Sequence, residues 1–145
     1  MIKYSFIIMA LSLCGSAYAA KDIALAKTHS DPSLKWGPCP EIFPKGCELT
    51  ILHGDPSKPK ADVFLKIPAN YQIPSHSHTS SEHMTLVSGE MKVHYEGQDA
   101  IIATAGTYLF GPAKVPHKAS CGTNGECVLF ISYDTKIDAM RAKDF

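Results

Sequence analysis

The sequence predicts an all-β domain, a sandwich or barrel, from three features of its patterning. Polar and apolar residues alternate over short runs, the runs recur at spacings of about ten residues, and turn-forming residues fill the gaps between them. Glu48-Leu49-Thr50-Ile51-Leu52 alternates polar with apolar, as a half-buried strand does, and Asp62-Val63-Phe64-Leu65-Lys66-Ile67 does so in part. Pro68-Ala69-Asn70 and Ile73-Pro74 punctuate the approach to His76. Met84 to Val87 is the next strand, and Ser88-Gly89-Glu90 turns it into Met91-Lys92-Val93-His94-Tyr95. Glu96 to Asp99 turns again, Ala100 to Ala103 pairs back, and Ala105-Gly106 precedes Thr107 to Phe110. Val128-Leu129-Phe130-Ile131 is apolar throughout, as a strand buried on both faces would be. Helix enters only after Asp134, where the mixed-charge stretch Lys136 to Lys143 reads as a short helix or a loose tail.

Processing and redox chemistry set the organisation. Met1-Ile2-Lys3, an apolar run to Leu13 and Ala17-Tyr18-Ala19 have the form of a secretory signal peptide, cut after Ala19. The apolar run is too short for a permanent membrane span. Leu13 is bulky where a lipoprotein signal has a small residue before its cysteine, so Cys14 is read as part of the leader. The expected division is therefore 1–19 signal peptide, 20–45 N-terminal arm packed on the barrel through Trp36, 46–133 barrel, and 134–145 tail. Beyond the leader stand Cys39, Cys47, Cys121 and Cys127, an even number suited to an oxidising compartment, periplasmic or extracellular. Four cysteines allow three pairings. Local spacing favours Cys39–Cys47 and Cys121–Cys127, the second across a hairpin loop with Gly125 in the left-handed conformation. The rival arrangement is a thiolate metal site, since Cys121 lies near His117.

The 145-residue precursor carries 14 basic and 14 acidic residues, and loss of Lys3 with the leader leaves the balance near −1. No basic stripe is present, which speaks against nucleic-acid binding. The remaining chain suits one domain, with no membrane association once the leader is removed. A homodimer would form through sheet edges or apolar faces.

The chemistry is concentrated in His76-Ser77-His78, Glu82 and His117. On a strand the side-chain period is two, so His76 and His78 point to one side and can converge on one ion. The polar turn Thr79-Ser80-Ser81 lets Glu82 present a carboxylate to the same point. His117 approaches from a separate strand behind Gly111-Pro112 and Val115-Pro116. Imidazoles and a carboxylate suit one divalent transition metal: iron, manganese, zinc, nickel or copper. A lone His-x-His would read as a polar surface loop; four donors embedded in strand-like sequence favour a metal site. By the same period His83 points away from Glu82, and His94 points away from Met91, Val93 and Tyr95. His29 and His53 lie in loop-like sequence. Met84, Leu86, Tyr108 and Phe110 read either as plain core or as the lining of a ligand cavity, and Tyr71 and Tyr108 as proton donors if they reach it.

These residues resemble the cupin motifs. His76-x-His78-x3-Glu82-x6-Gly89 is similar to the first, and Gly106-x5-Pro112, with His117 five residues on, to the second. Lys114 stands where that family usually has glycine, and Cys121 where it often has asparagine. Trp36-Gly37-Pro38, the run His53 to Pro59 and the run Ser75 to His83 further resemble a subgroup of small exported bacterial cupins. The resemblance covers residues 46 to 133. It implies a double-stranded β-helix, or jelly roll, holding a metal on His76, His78, Glu82 and His117. It implies action on a small organic molecule, by a dioxygenase-like oxidoreductase first, or by an isomerase or lyase, with Glu82 as ligand or base. The alternative it leaves is a non-catalytic metal or small-ligand binding or sensing module.

Overall fold

The computed structural model describes residues 23–145, and the signal peptide read at residues 1–19 lies outside the described residues. The strands are β1 (Gly37–Pro38), β2 (Glu48–His53), β3 (Asp62–Ile67), β4 (Gln72–Ser77), β5 (Glu82–Ser88), β6 (Glu90–Tyr95), β7 (Ile101–Thr104), β8 (Tyr108–Gly111), β9 (His117–Cys121), β10 (Cys127–Tyr133) and β11 (Met140–Arg141). One sheet runs β1-β2-β3-β10-β5-β8 and the other β11-β4-β9-β6-β7. Every pairing is antiparallel. Chain neighbours mostly fall in opposite sheets, so the chain wraps as a single-domain jelly roll.

Alternation does the folding. Met84 and Leu86 of β5, Met91, Val93 and Tyr95 of β6, and Leu129 and Ile131 of β10 all turn inward and form one apolar core. β10 is central, between β3 and β5, which accounts for its unbroken apolar run. By the same alternation Tyr108 and Phe110 of β8 turn outward and are exposed. The cavity-lining reading of those two residues is thereby corrected.

Strand β4 departs from simple alternation. Ile73 pairs with Ala119 and His76 with His117, so three steps on β4 match two on β9. The extra residue is a β-bulge, and it shifts the phase of the strand. Upstream of it Ile73 faces the core; downstream His76 and His78 do. Without it the two histidines would point outward.

Both favoured disulfides are present, Cys39–Cys47 and Cys121–Cys127. Gly125 has the expected positive φ, 111°. The hairpin expected around it is absent. Strand β9 pairs with β4 and β6, and β10 with β3 and β5, so this bridge ties one sheet to the other across a corner.

The stretch after Asp134 is neither helix nor loose tail. Residues Met140 and Arg141 pair with Ser77 and His76 as an edge strand. Ala142 donates to the Ser75 carbonyl at 3.1 Å, and the Ser75 hydroxyl donates to that of Lys143 at 2.9 Å. The end of the chain is a strap laid along β4. At the other end Trp36 stacks under the Lys66 ammonium, 4.3 Å from the ring centre, beside the short β1–β2 pairing.

Lys114, at the variant position of the second motif, has φ 65° and donates its N–H to the His78 carbonyl at 2.8 Å. The backbone thus holds the left-handed turn for which glycine is the natural residue. Lys114→Gly should relieve that strain and stabilise the domain by up to about 1 kcal/mol, read as a raised midpoint in urea. A lowered midpoint would show that the lysine side chain contributes something the glycine lacks.

Candidate metal centre

Three strands and one turn deliver the donors. His76 and His117 are directly paired across β4 and β9, and Tyr95 of β6 is paired with His117 on its other side. His78 lies just past the end of β4, and Glu82 opens β5 opposite Tyr133 and Gly111. His76, His78, His117 and Glu82 are all buried. One ligand atom from each of the three histidines can be chosen so that all lie within 4.8 Å of one another. Glu82 stands against two of them, Oε1 at 3.3 Å from His78 Nε2 and Oε2 at 3.6 Å from His117 Nε2.

The backbone fixes which nitrogen faces inward. The Nδ1 of His76 lies 2.8 Å from the Pro74 carbonyl, and that of His117 lies 3.1 Å from the Val115 carbonyl. His78 Nδ1 bonds the Asp138 carbonyl, which comes from the C-terminal strap. A carbonyl oxygen only accepts, so each Nδ1 carries the proton and each Nε2 of a neutral ring presents a lone pair. Two of those lone pairs then confront a carboxylate, which is repulsive unless a cation sits between them. Burial makes the histidine cluster a poor place for added protons. Burial, then the His117 and His78 rings, lowers His76 from its usual 6.5 to about 3. Burial also lowers His117, although the Glu82 carboxylate pulls the other way. The donor set therefore fits a metal ion, with each ring aligned by an outer acceptor in the manner of known metal-ligating histidines.

The strap is clasped at the residue that orients His78. The Asp138 carboxylate accepts from the Thr79 N–H at 2.8 Å and the Thr79 hydroxyl at 2.6 Å. Burial alone would raise the Asp138 carboxyl, but these hydrogen bonds outweigh it and hold the group below its usual range.

A cavity of about 60 Å³ adjoins the site. Its walls include Met84, Met91, Val93, Leu109, Leu129 and Ile131, with Phe43 of the arm and Ile137 of the strap also lining it. Phe43 meets the His76 ring edge-on at 4.9 Å between centres. The expected proton donors are elsewhere. The Tyr71 hydroxyl bonds the Pro44 carbonyl, and Tyr108 lies outside against His83, 2.8 Å from its Nδ1. The tyrosines at the site are Tyr95 and Tyr133. Burial, then the Glu82 carboxylate, raises both phenols, so both remain protonated at neutral pH. Their signal was in the sequence: Tyr95 is in phase with Met91 and Val93, and Tyr133 with Leu129 and Ile131.

A model of the ChrR cupin-like domain family matches residues 26–135, most of the chain. This chain is a cupin and belongs to that family. No curated protein sequence is a significant match to it. Solved structures share the cupin's fold at low identity. A DMSP lyase from Ruegeria pomeroyi superposes with a TM-score of 0.62 at 20% identity, over 75% of this chain. The cupin spans 61% of that lyase's length and 63% of a second DMSP lyase structure. A polyketide cyclase from Streptomyces resistomycificus gives 0.66 at 16% identity, over 83% of this chain and 88% of its own. A cupin-2 domain protein from Rhodospirillum rubrum gives 0.67 at 7%, over 85% and 84% respectively. These likenesses are of fold. The cupin's Lys114 turn packs on His78, and its variant Cys121 is engaged in the disulfide, not free as a metal ligand.

Proposed function

We propose that this cupin is an exported protein that holds one divalent transition metal on His76, His78, Glu82 and His117 and uses it on a small organic molecule. The observation that carries the reading is the tautomer argument: carbonyl acceptors turn imidazole lone pairs toward one another and toward a carboxylate. Export is supported by the leader-like start of the sequence and by the two disulfides, which suit a non-reducing compartment. A bound ion would supply Lewis acidity or, if redox-active, dioxygen activation. The protein's own groups position and shield. The strap and β-ladder hold the rings, the apolar walls keep bulk water out, and Glu82 serves as ligand or, through a free carboxylate oxygen, as base. A dioxygenase-like reaction is the first enzymatic assignment; iron, manganese, zinc, nickel and copper all suit the donors. Isomerase or lyase chemistry draws support from fold neighbours named as a lyase and a cyclase. The small volume of the cavity favours the second reading, a module that binds or senses a small ligand without turnover.

Elemental analysis of protein expressed with its leader and purified from its native compartment tests the core of this proposal. One equivalent of transition metal is expected, and none, with iron, manganese, zinc, nickel and copper all supplied, would overturn it.

Acid should empty the site. In the unfolded chain these histidines protonate near 6.5, whereas in the folded protein burial holds His76 neutral to about 3. Between those values the unfolded state binds more protons, so apoprotein stability should fall as pH drops from 6.5 toward 3. Metal occupancy should fall over the same interval, because bound imidazole must be unprotonated. Occupancy independent of pH down to 3 would rule these histidines out as ligands.

A further inference from the structure

The proposed metal site leaves one polar group unexplained. Tyr95 is 2% exposed, and its hydroxyl is buried with no hydrogen-bond partner among the described protein groups. Such a group costs roughly 1–3 kcal/mol unless something pairs with it. The position is well defined. Tyr95 sits directly across from His117 in the ladder, with ring centres 5.2 Å apart. Its hydroxyl lies 3.2 Å from the point a side chain at Gly111 would occupy, and Glu82 Oε2 lies 3.1 Å from the same point. Met84 Cε lies 3.3 Å from that point as well, and Tyr95, Glu82 and Met84 all line the cavity beside the three histidines.

The other polar groups around the cavity are committed. Each imidazole Nδ1 is tied to a carbonyl, Asp138 is held by Thr79, and Tyr133 lies against Glu82. What remains is an apolar chamber with one uncommitted donor beside the site. At about 60 Å³ the cavity is small beside the roughly 300–1,000 Å³ of sites for drug-sized ligands, which points to a compact occupant.

Building on the proposed metal-dependent function, we infer that Tyr95 is the ligand-recognition residue of this site. Its hydroxyl donates a hydrogen bond to an oxygen of a compact molecule held at the metal. The class of ligand is a few heavy atoms with a small apolar body and one oxygen acceptor, a short carboxylate or carbonyl compound. Larger substrates and those presenting several polar groups have no partners in this chamber.

Cobalt-loaded protein provides the test, because the visible absorption of the ion reports what binds beside it. Acetate is the probe, and iodide, a large soft anion that accepts hydrogen bonds weakly and carries no oxygen, is the control. Tyr95→Phe removes the hydroxyl and keeps the ring. It should load cobalt with unchanged stoichiometry, bind acetate about tenfold or more weakly, and bind iodide as the unsubstituted protein does. The apoprotein's melting temperature should hold or rise, since an unpaired buried hydroxyl is lost. Unchanged acetate affinity, equal weakening of both probes, a marked fall in melting temperature, or no acetate response in the unsubstituted protein would each overturn the assignment of Tyr95. Failure of the unsubstituted protein to bind cobalt would instead overturn the metal reading on which it rests.

Discussion

His117→Ala is expected to lower metal affinity by more than about 100-fold while leaving a folded domain. Loss of an outer hydrogen bond to a ligand already costs 10–100-fold, and removal of a ligand should exceed that. His117 is the donor delivered from β9, the strand between those that carry His76 and Tyr95, so no neighbour can take its place without breaking a ladder. The frame around it does not depend on the imidazole. Strand β9 is paired on both sides along its length, and the Cys121–Cys127 bridge anchors its end. Metal content after dialysis against a chelator of known affinity measures the loss, and near-ultraviolet circular dichroism checks the fold. His94→Ala is the matched control. It lies one residue before Tyr95, points away from the core toward Phe145, and should leave occupancy unchanged. Equal occupancy in the two variants would remove His117 from the ligand set.

The site was legible in the sequence to the extent that it obeys local rules. His76 and His78 share a side because the strand period is two, and Cys39 and Cys47 are bridged as their spacing suggested. What was not legible depends on register between distant strands. The β4 bulge, which turns His76 and His78 inward, is visible only once β9 is laid beside β4. Tyr95 and Tyr133 are in phase with core residues, so their inward direction was legible, but nothing local separates a tyrosine at a site from one filling a core. The C-terminal strap misled for a different reason. Its mixed charge and short length carry no periodicity, and its structure comes from docking onto β4 and from the Asp138–Thr79 clasp. The hairpin expected for Cys121–Cys127 failed because chain adjacency does not fix sheet membership in a jelly roll. Two cysteines six residues apart can close a corner as readily as a hairpin.

Gly89→Ala should destabilise the domain by about 3 kcal/mol or more, a large share of the roughly 5–15 kcal/mol typical of a folded domain. Gly89 joins β5 to β6 with φ 84°, a conformation that costs an L-residue roughly 1–2 kcal/mol. Crowding adds to that. A Cβ there would lie 2.6 Å from the Glu126 carbonyl oxygen, 2.9 Å from Cys127 Sγ and 3.0 Å from Cys127 Cα. None of these atoms is the free end of a flexible side chain: two are backbone, and the sulfur belongs to the bridge that joins the sheets. Gly97→Ala separates the two contributions, because Gly97 has φ 75° but nothing within 4 Å of its Cβ position. It should lose only the conformational part, so the difference in urea midpoint between the two variants measures the steric part. Equal losses would show that the corner yields and that the close approach is unimportant. A larger loss at Gly89 assigns the motif glycine a structural role: it lets the β5–β6 turn pass against the disulfide-closed corner. Metal binding by whatever fraction of Gly89→Ala remains folded should then match the unsubstituted protein, since the substitution touches none of the four donors.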